Sequence, residues 1–126
     1  MKTILIVDDE PDVTLSIKMA FEDMPPRFHV ICANSGEECI NILKESKTPD
    51  LIILDIMMPG MSGWGVQKLL KDHLVWKDIP VVFLSAVPPG NDLEKHIGSV
   101  EYFKKPVDVL ELKRQVRNIL RRKKKK

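Results

Sequence analysis

The sequence reads as a doubly wound α/β sandwich, a parallel sheet with helices on both faces. Three observations point there. Three short apolar runs, Ile4 to Val7, Leu51 to Leu54 and Val81 to Leu84, are continuous rather than alternating. Such runs suit strands covered on both sides. Helical stripes lie between them, so strand and helix alternate along the chain. The chain has 126 residues, 44% of them apolar and 30% charged, enough for one well-filled core and no more than one domain.

The elements follow in order. The first strand is Ile4 to Val7. Val13, Ile17, Ala20, Phe21 and Met24 then share one helix face, with Pro11 suited to a first turn. Phe28 to Ala33 is a weaker second strand. Ser35-Gly36-Glu37-Glu38 reads as a capping box opening a second helix through Ile42 and Leu43. Leu51 to Leu54 is the third strand. Val66, Leu69, Leu70 and Leu74 form a third stripe after Ser62, and Val81 to Leu84 is the fourth strand. Pro88-Pro89-Gly90 delays the next helix and leaves only Asp92 to about Ile97 for it. Val100 to Lys104 is a weaker fifth strand. Asp108 with Glu111 opens the last helix, whose apolar face is Val109, Leu112, Val116 and Ile119. Crossovers between parallel strands are expected to be right-handed.

Composition excludes several function classes. No apolar run approaches the ~20 residues of a membrane span. No signal peptide is read before the first strand, so a cytoplasmic location is expected. The chain is too short for an eight-fold barrel, which takes ~250 residues. Net charge is +2, but Arg121 to Lys126 are all basic, and without those six charges the rest nets −4. The body, expected over 1–120, is mildly acidic, and 121–126 reads first as a solvated basic tail, with continuation of the last helix or contact with nucleic acid or anionic lipid left open. Cys32 and Cys39 lack metal-site spacing and read as small hydrophobes.

Chemistry concentrates where the strands end. Ligands of open α/β sheets bind outside the carboxyl ends of the strands. Strand one runs into Asp8, Asp9 and Glu10. Strand three ends at Asp55, strand four at Ser85, and strand five at Lys104, Lys105 and Pro106. Strand two ends in Ala33-Asn34-Ser35, a cap and turn. Any one of these residues alone is well explained as a turn, a cap or a surface group. Together they converge carboxylates that repel one another unless a divalent cation relieves them. Hard oxygen donors favour Mg2+, with Mn2+ possible, over zinc. The central Asp55 can attack phosphorus to give an aspartyl phosphate. Lys105 adds fixed positive charge and Ser85 a hydroxyl donor for phosphoryl oxygens.

With these residues in view the chain resembles the receiver domain of two-component response regulators. The matching motifs are Ile4-Leu5-Ile6-Val7-Asp8-Asp9-Glu10-Pro11, Leu54-Asp55-Ile56-Met57-Met58-Pro59-Gly60-Met61-Ser62-Gly63, Phe83-Leu84-Ser85-Ala86 and Tyr102-Phe103-Lys104-Lys105-Pro106. The resemblance covers about residues 3–120 and implies a flavodoxin-like five-stranded parallel sheet of order 2-1-3-4-5. It implies Asp55 as phosphoacceptor. It implies Mg2+ on Asp9, Asp55 and the Met57 backbone carbonyl, with Asp8 acting through water. Ser85 is the implied switch hydroxyl, Tyr102 the switch aromatic and Lys105 the phosphate-pairing lysine before a commonly cis proline bond. The implied partner is a histidine kinase or histidine phosphotransfer protein, met mainly by the first helix and the strand-five loop. The downstream target is a protein left unnamed, and no DNA-binding domain is expected. The implied role is a phosphoacceptor that assists its own phosphorylation and dephosphorylation, not an enzyme. The rivals are a phosphorylation-independent module of the same shape, an aspartyl-phosphate phosphatase and a flavin-binding module. The phosphatase reading wants a second acid where Met57 stands. The flavin reading wants hydroxyl and glycine donors where Asp8-Asp9-Glu10 stand.

Overall fold

The computed structural model describes residues 1–86 and 101–124. The strands are β1 (Thr3–Val7), β2 (His29–Ala33), β3 (Leu51–Asp55), β4 (Val81–Ser85) and β5 (Glu101–Lys104). The helices are α1 (Pro11–Asp23), α2 (Gly36–Glu45), α3 (Gly63–Lys71) and α4 (Val109–Lys124), with a 3-10 turn at Trp76–Asp78. The short helix expected over Asp92 to Ile97, and Val100 before β5, lie outside the described residues.

All neighbouring strands run parallel, in the order β2-β1-β3-β4-β5, as expected. The strand period of two sorts the core into two layers. Leu5, Val7, Ile52, Leu54 and Phe83 face Cys39 and Leu43 of α2 and Val66 and Leu70 of α3. Ile4, Ile6, Leu51, Ile53, Val82 and Leu84 face Ile17 and Phe21 of α1 and Leu112 and Val116 of α4. The continuous apolar runs are thereby explained, because both faces of β1, β3 and β4 are covered. Each such fully buried aliphatic side chain contributes about 1.5–3 kcal/mol on leaving water.

Local chemistry sets the helix ends. Pro11 stands at the first position of α1. Ser35 Oγ accepts from Glu38 N at 3.0 Å, while the Glu38 carboxylate accepts from Asn34 N at 2.7 Å. Ser62 Oγ caps α3 through Gly65 N at 3.3 Å. Asp108 Oδ1 accepts from both Leu110 N and Glu111 N at 3.1 Å and opens α4. Side chains of α1 also engage the free edge of β2 at Val30. Glu22 Oε2 accepts the Val30 N–H at 3.0 Å, and Lys18 Nζ reaches the Val30 carbonyl at 3.4 Å. That backbone N–H holds the Glu22 carboxyl below its usual range, with Lys18 acting the same way against desolvation.

One expectation is corrected. The α3 stripe stops at Lys71, and Leu69 and Leu74 are exposed, at 42% and 84%. The chain turns at Asp72 because His73 Nδ1 accepts the N–H groups of Val75 and Trp76, both at 3.1 Å, and starts the 3-10 turn there. The last helix reaches into the basic run, one of the options the sequence left open for it. It continues through Arg121 to Lys124, so most of the basic run is helix end rather than a separate tail. Arg and Lys are good helix formers, and cations suit a helix C-terminus.

A buried lysine escaped the sequence reading altogether. Lys113 on α4 is 6% exposed and donates to the carbonyls of Ala20, at 2.9 Å, and Met24 at the end of α1. Desolvation pulls its pKa down, and Arg117 and Arg27 add to that. The ammonium caps otherwise orphaned carbonyls of α1. Lys113→Met is expected to lower stability by about 1–2 kcal/mol, read as a lower urea midpoint at unchanged slope. An unchanged midpoint would remove the cap from the account of α1.

Candidate functional site

The register brings the acids level. Ile6 pairs with Ile53 and Val7 with Leu54, so the next step along each strand puts Asp8 beside Asp55. The period of two also gives Asp8 the face of Ile4 and Ile6, and Asp55 that of Leu51 and Ile53. Both are buried, Asp8 at 0% and Asp55 at 1% exposure. Asp8, Asp9, Glu10 and Asp55 each offer an oxygen within 4.8 Å of the others.

Lys105 stands among them. Its Nζ lies 2.9 Å from Asp8 Oδ2, 2.6 Å from Glu10 Oε1 and 3.3 Å from Asp55 Oδ2. Its backbone N–H donates to the Ser85 carbonyl at 2.8 Å, which ties the lysine to the end of β4. The Lys105–Pro106 bond is cis, as expected. Asp8 Oδ1 accepts from Glu10 N at 2.9 Å, and Asp55 Oδ1 from Met57 N at 3.3 Å.

The electrostatics follow from burial. Asp55 is pushed up to about 6, first by desolvation and then by the Asp8 charge, with Lys105 and the Met57 N–H pulling the other way. Burial alone would lower the Lys105 pKa, but the hydrogen bonds its ammonium donates to Glu10 and Asp8, with the Asp55 charge, leave it raised. Among the described residues, Asp8 Oδ2 and Asp55 Oδ2 have the shared Lys105 ammonium as their one polar partner, at 2.9 and 3.3 Å. Two buried anionic oxygens sharing one cation, with two further carboxylates beside them, make a donor set that fits a hard divalent cation.

The remaining expected residues fall around this centre. Ser85 is 1% exposed at the end of β4, the strand next to Asp55. Tyr102 pairs with Phe83 on β5 and packs, half-buried, on the α2 and α3 side of the sheet. The Met57 side chain is exposed at 58%, whereas Met58 is buried. Gly60 has φ of 74°, a conformation that glycine takes without strain. Gly63 seats α3 against the site, since its N–H donates to the Ile56 carbonyl at 2.9 Å. Both cysteines are free, and burial raises the Cys39 thiol to about 12. The sequence reading gave Glu10 no role beyond following the acidic pair. The signal available for it was a third acid at the same strand end.

Comparison with known proteins agrees with this geometry. Residues 4–117 match the response regulator receiver domain family. The Bacillus subtilis transcriptional regulatory protein YvrH is 38% identical over 124 residues, covering 95% of this chain and 49% of that protein. A probable cyclic di-GMP phosphodiesterase of Vibrio cholerae is 36% identical over 126 residues, covering 98% of this chain and 28% of its own length. The chain thus spans about half or less of these curated relatives. Among solved structures, the Thermotoga maritima response regulator TrrA in complex with Mg2+-BeF superposes with TM-score 0.78 at 31% identity, covering 94% of this chain and 98% of that one. The receiver protein domain of Methanoculleus marisnigri gives TM-score 0.76 at 34% identity, covering 95% and 97%. Among the described residues no helix is long and apolar enough to cross a membrane. Sheet order, strand-end acids and these likenesses converge on one conclusion: the chain belongs to the response regulator receiver domains of two-component systems.

Proposed function

We propose that this chain is a phosphorylation switch that takes its phosphoryl group on Asp55 from the phosphohistidine of a histidine kinase or histidine phosphotransfer protein. The observation that carries this reading is a buried carboxylate at the end of the central strand, 3.3 Å from a lysine and flanked by further acids. An Asp55 oxygen forms the new O–P bond as the P–N bond to imidazole breaks, and the leaving nitrogen keeps the bonding pair. Asp9, Asp55 and the Met57 carbonyl, with Asp8 through water, hold Mg2+, or Mn2+ in its place. When bound, that ion supplies positive charge opposite the phosphoryl oxygens.

Lys105 neutralises one phosphoryl oxygen. The Ser85 hydroxyl donates to another, and Tyr102 repacks as Ser85 moves. This is a population shift driven by contacts that only the phosphorylated state makes. A downstream protein reads the altered surface, and the setting is the cytoplasm. The protein is a phosphoacceptor rather than an enzyme with turnover. In support, the place where a phosphatase would carry its second acid holds Met57.

Intact mass after incubation with phosphoramidate tests the proposal. One phosphoryl mass is expected with Mg2+, and none in EDTA or in Asp55→Ala. Full labelling of Asp55→Ala would remove Asp55 from its role. No gain by the wild type would leave a phosphorylation-independent interaction module.

A further inference from the structure

Glu10 stands at the N-cap of α1, yet its side chain caps no N–H of that helix. The residues that ordinarily cap from this position are shorter, Ser, Thr, Asp or Asn. Here the carboxylate crosses to Lys105 Nζ at 2.6 Å, the shortest of that lysine's three ion pairs. The Glu10 backbone N–H is also engaged in the site, donating to Asp8 Oδ1 at 2.9 Å. The residue is thus held to the acidic centre by both backbone and side chain.

The ammonium has three N–H bonds and three carboxylates around it. These partners differ in one respect. The Asp8 and Asp55 side chains are buried, at 0% and 1% exposure, while Glu10 is 59% exposed. If Lys105 left Asp8, a fully buried anionic oxygen would lose the cation 2.9 Å from it. If it left Glu10, water would take its place.

We propose that Glu10 is a positioning residue that tethers Lys105 in the unphosphorylated protein and competes with the incoming phosphoryl group for its ammonium. The proposal rests on the reading of Asp55 as the acceptor. A phosphoryl oxygen competes for the Lys105 ammonium with its present partners, and Glu10, which accepts its hydrogen bond at 2.6 Å from an exposed position, is the partner that exchanges at least cost. The Glu10 charge also opposes an anionic donor directly. Both effects have one sign, so neutralising Glu10 while keeping its shape accelerates acceptance. A unit charge about 5 Å away in a water-like medium changes the rate about fourfold.

Asp12 supplies the control. It is exposed, lines the same hollow of about 460 Å³ beside Glu10 and Lys105, and forms no ion pair with Lys105. The experiment compares the full chain with Glu10→Gln and Asp12→Asn. The first readout needs no phosphodonor: the reactivity of the Lys105 amine toward acetic anhydride, followed by peptide mass. It is expected to rise about threefold or more in Glu10→Gln, as the tether is lost, and to stay at the wild-type level in Asp12→Asn. The second is the initial rate of mass gain from phosphoramidate at saturating Mg2+. It is expected to rise about three- to fivefold in Glu10→Gln and to stay near wild type in Asp12→Asn.

Unchanged Lys105 reactivity in Glu10→Gln overturns the tether. Raised reactivity without faster phosphorylation overturns the competition. Equal acceleration by Asp12→Asn assigns the effect to the general field and overturns the proposal as well. If the wild type takes no phosphoryl group at all, the Asp55 reading fails, and the labelling ratio still decides whether Glu10 tethers Lys105.

Discussion

Asp55→Asn is expected to make the metal-free protein more stable than the wild type at pH 7.5, by up to about 3 kcal/mol. The cause is the raised Asp55 pKa, about 6 against an ordinary value of 3.8, set first by burial and next by the Asp8 charge. A carboxyl whose folded pKa lies above its unfolded one favours folding in the protonated form. That contribution is fully present below about pH 4 and is lost as pH rises through about 6. At pH 7.5 the ionised group therefore works against the fold, and a neutral amide of the same shape does not. Urea unfolding in EDTA reads the difference. The gap between variant and wild type is expected to open between pH 4 and 6 and to close toward acid. Saturating Mg2+ is expected to narrow it, because the cation relieves the wild type more than the variant. A less stable Asp55→Asn at pH 7.5 in EDTA would contradict the electrostatics described here. So would a gap that ignores pH.

Gly63→Ala is expected to destabilise the fold by about 3 kcal/mol or more. A Cβ there would lie 2.4 Å from the Asp55 carbonyl oxygen and 2.7 Å from the Ile56 Cα. Both are backbone atoms at the floor of the site, so neither yields by turning a rotamer. Gly65 is the matched control. A Cβ at Gly65 meets Met61 Cγ at 3.0 Å, and an unbranched methionine side chain gives way by a small rotation. Gly65→Ala is expected to fold with a urea midpoint near that of the wild type, and Gly63→Ala to unfold early or to accumulate in aggregates. A Gly63→Ala midpoint within the scatter of Gly65→Ala would mean that α3 does not seat on the end of β3 as described.

These predictions draw on parts of the molecule that were unequally legible. The fold was readable because β1, β3 and β4 are covered on both faces, and double coverage writes itself as an unbroken apolar run. The acidic centre was readable for the same reason. Once Ile6 and Ile53 are known to be strand neighbours, Asp8 and Asp55 follow one step on. Lys113 was not readable. On a helical wheel it is one more polar residue, and only the angle between α1 and α4 brings it to the end of another helix. The end of α3 was misread because Leu74 keeps the apolar spacing, while the group that stops the helix is a histidine ring accepting two backbone N–H groups. Helical spacing says nothing about such local competition. The run after Leu120 reads by composition as a solvated tail, yet Arg and Lys carry helix as well as leucine does.

The engagement of Val30 on the β2 edge by Lys18 and Glu22 has a wider consequence. An open strand edge is a template on which further chains can stack into fibrils. Here the Val30 amide and carbonyl are occupied by side chains of α1, the helix that also begins at Glu10. Protection from polymerisation and the integrity of the acidic centre therefore share one support. Damage that unseats α1 would disturb the acidic centre and uncover Val30 at the sheet edge in the same event, so loss of the site's geometry and a tendency to aggregate would arrive together.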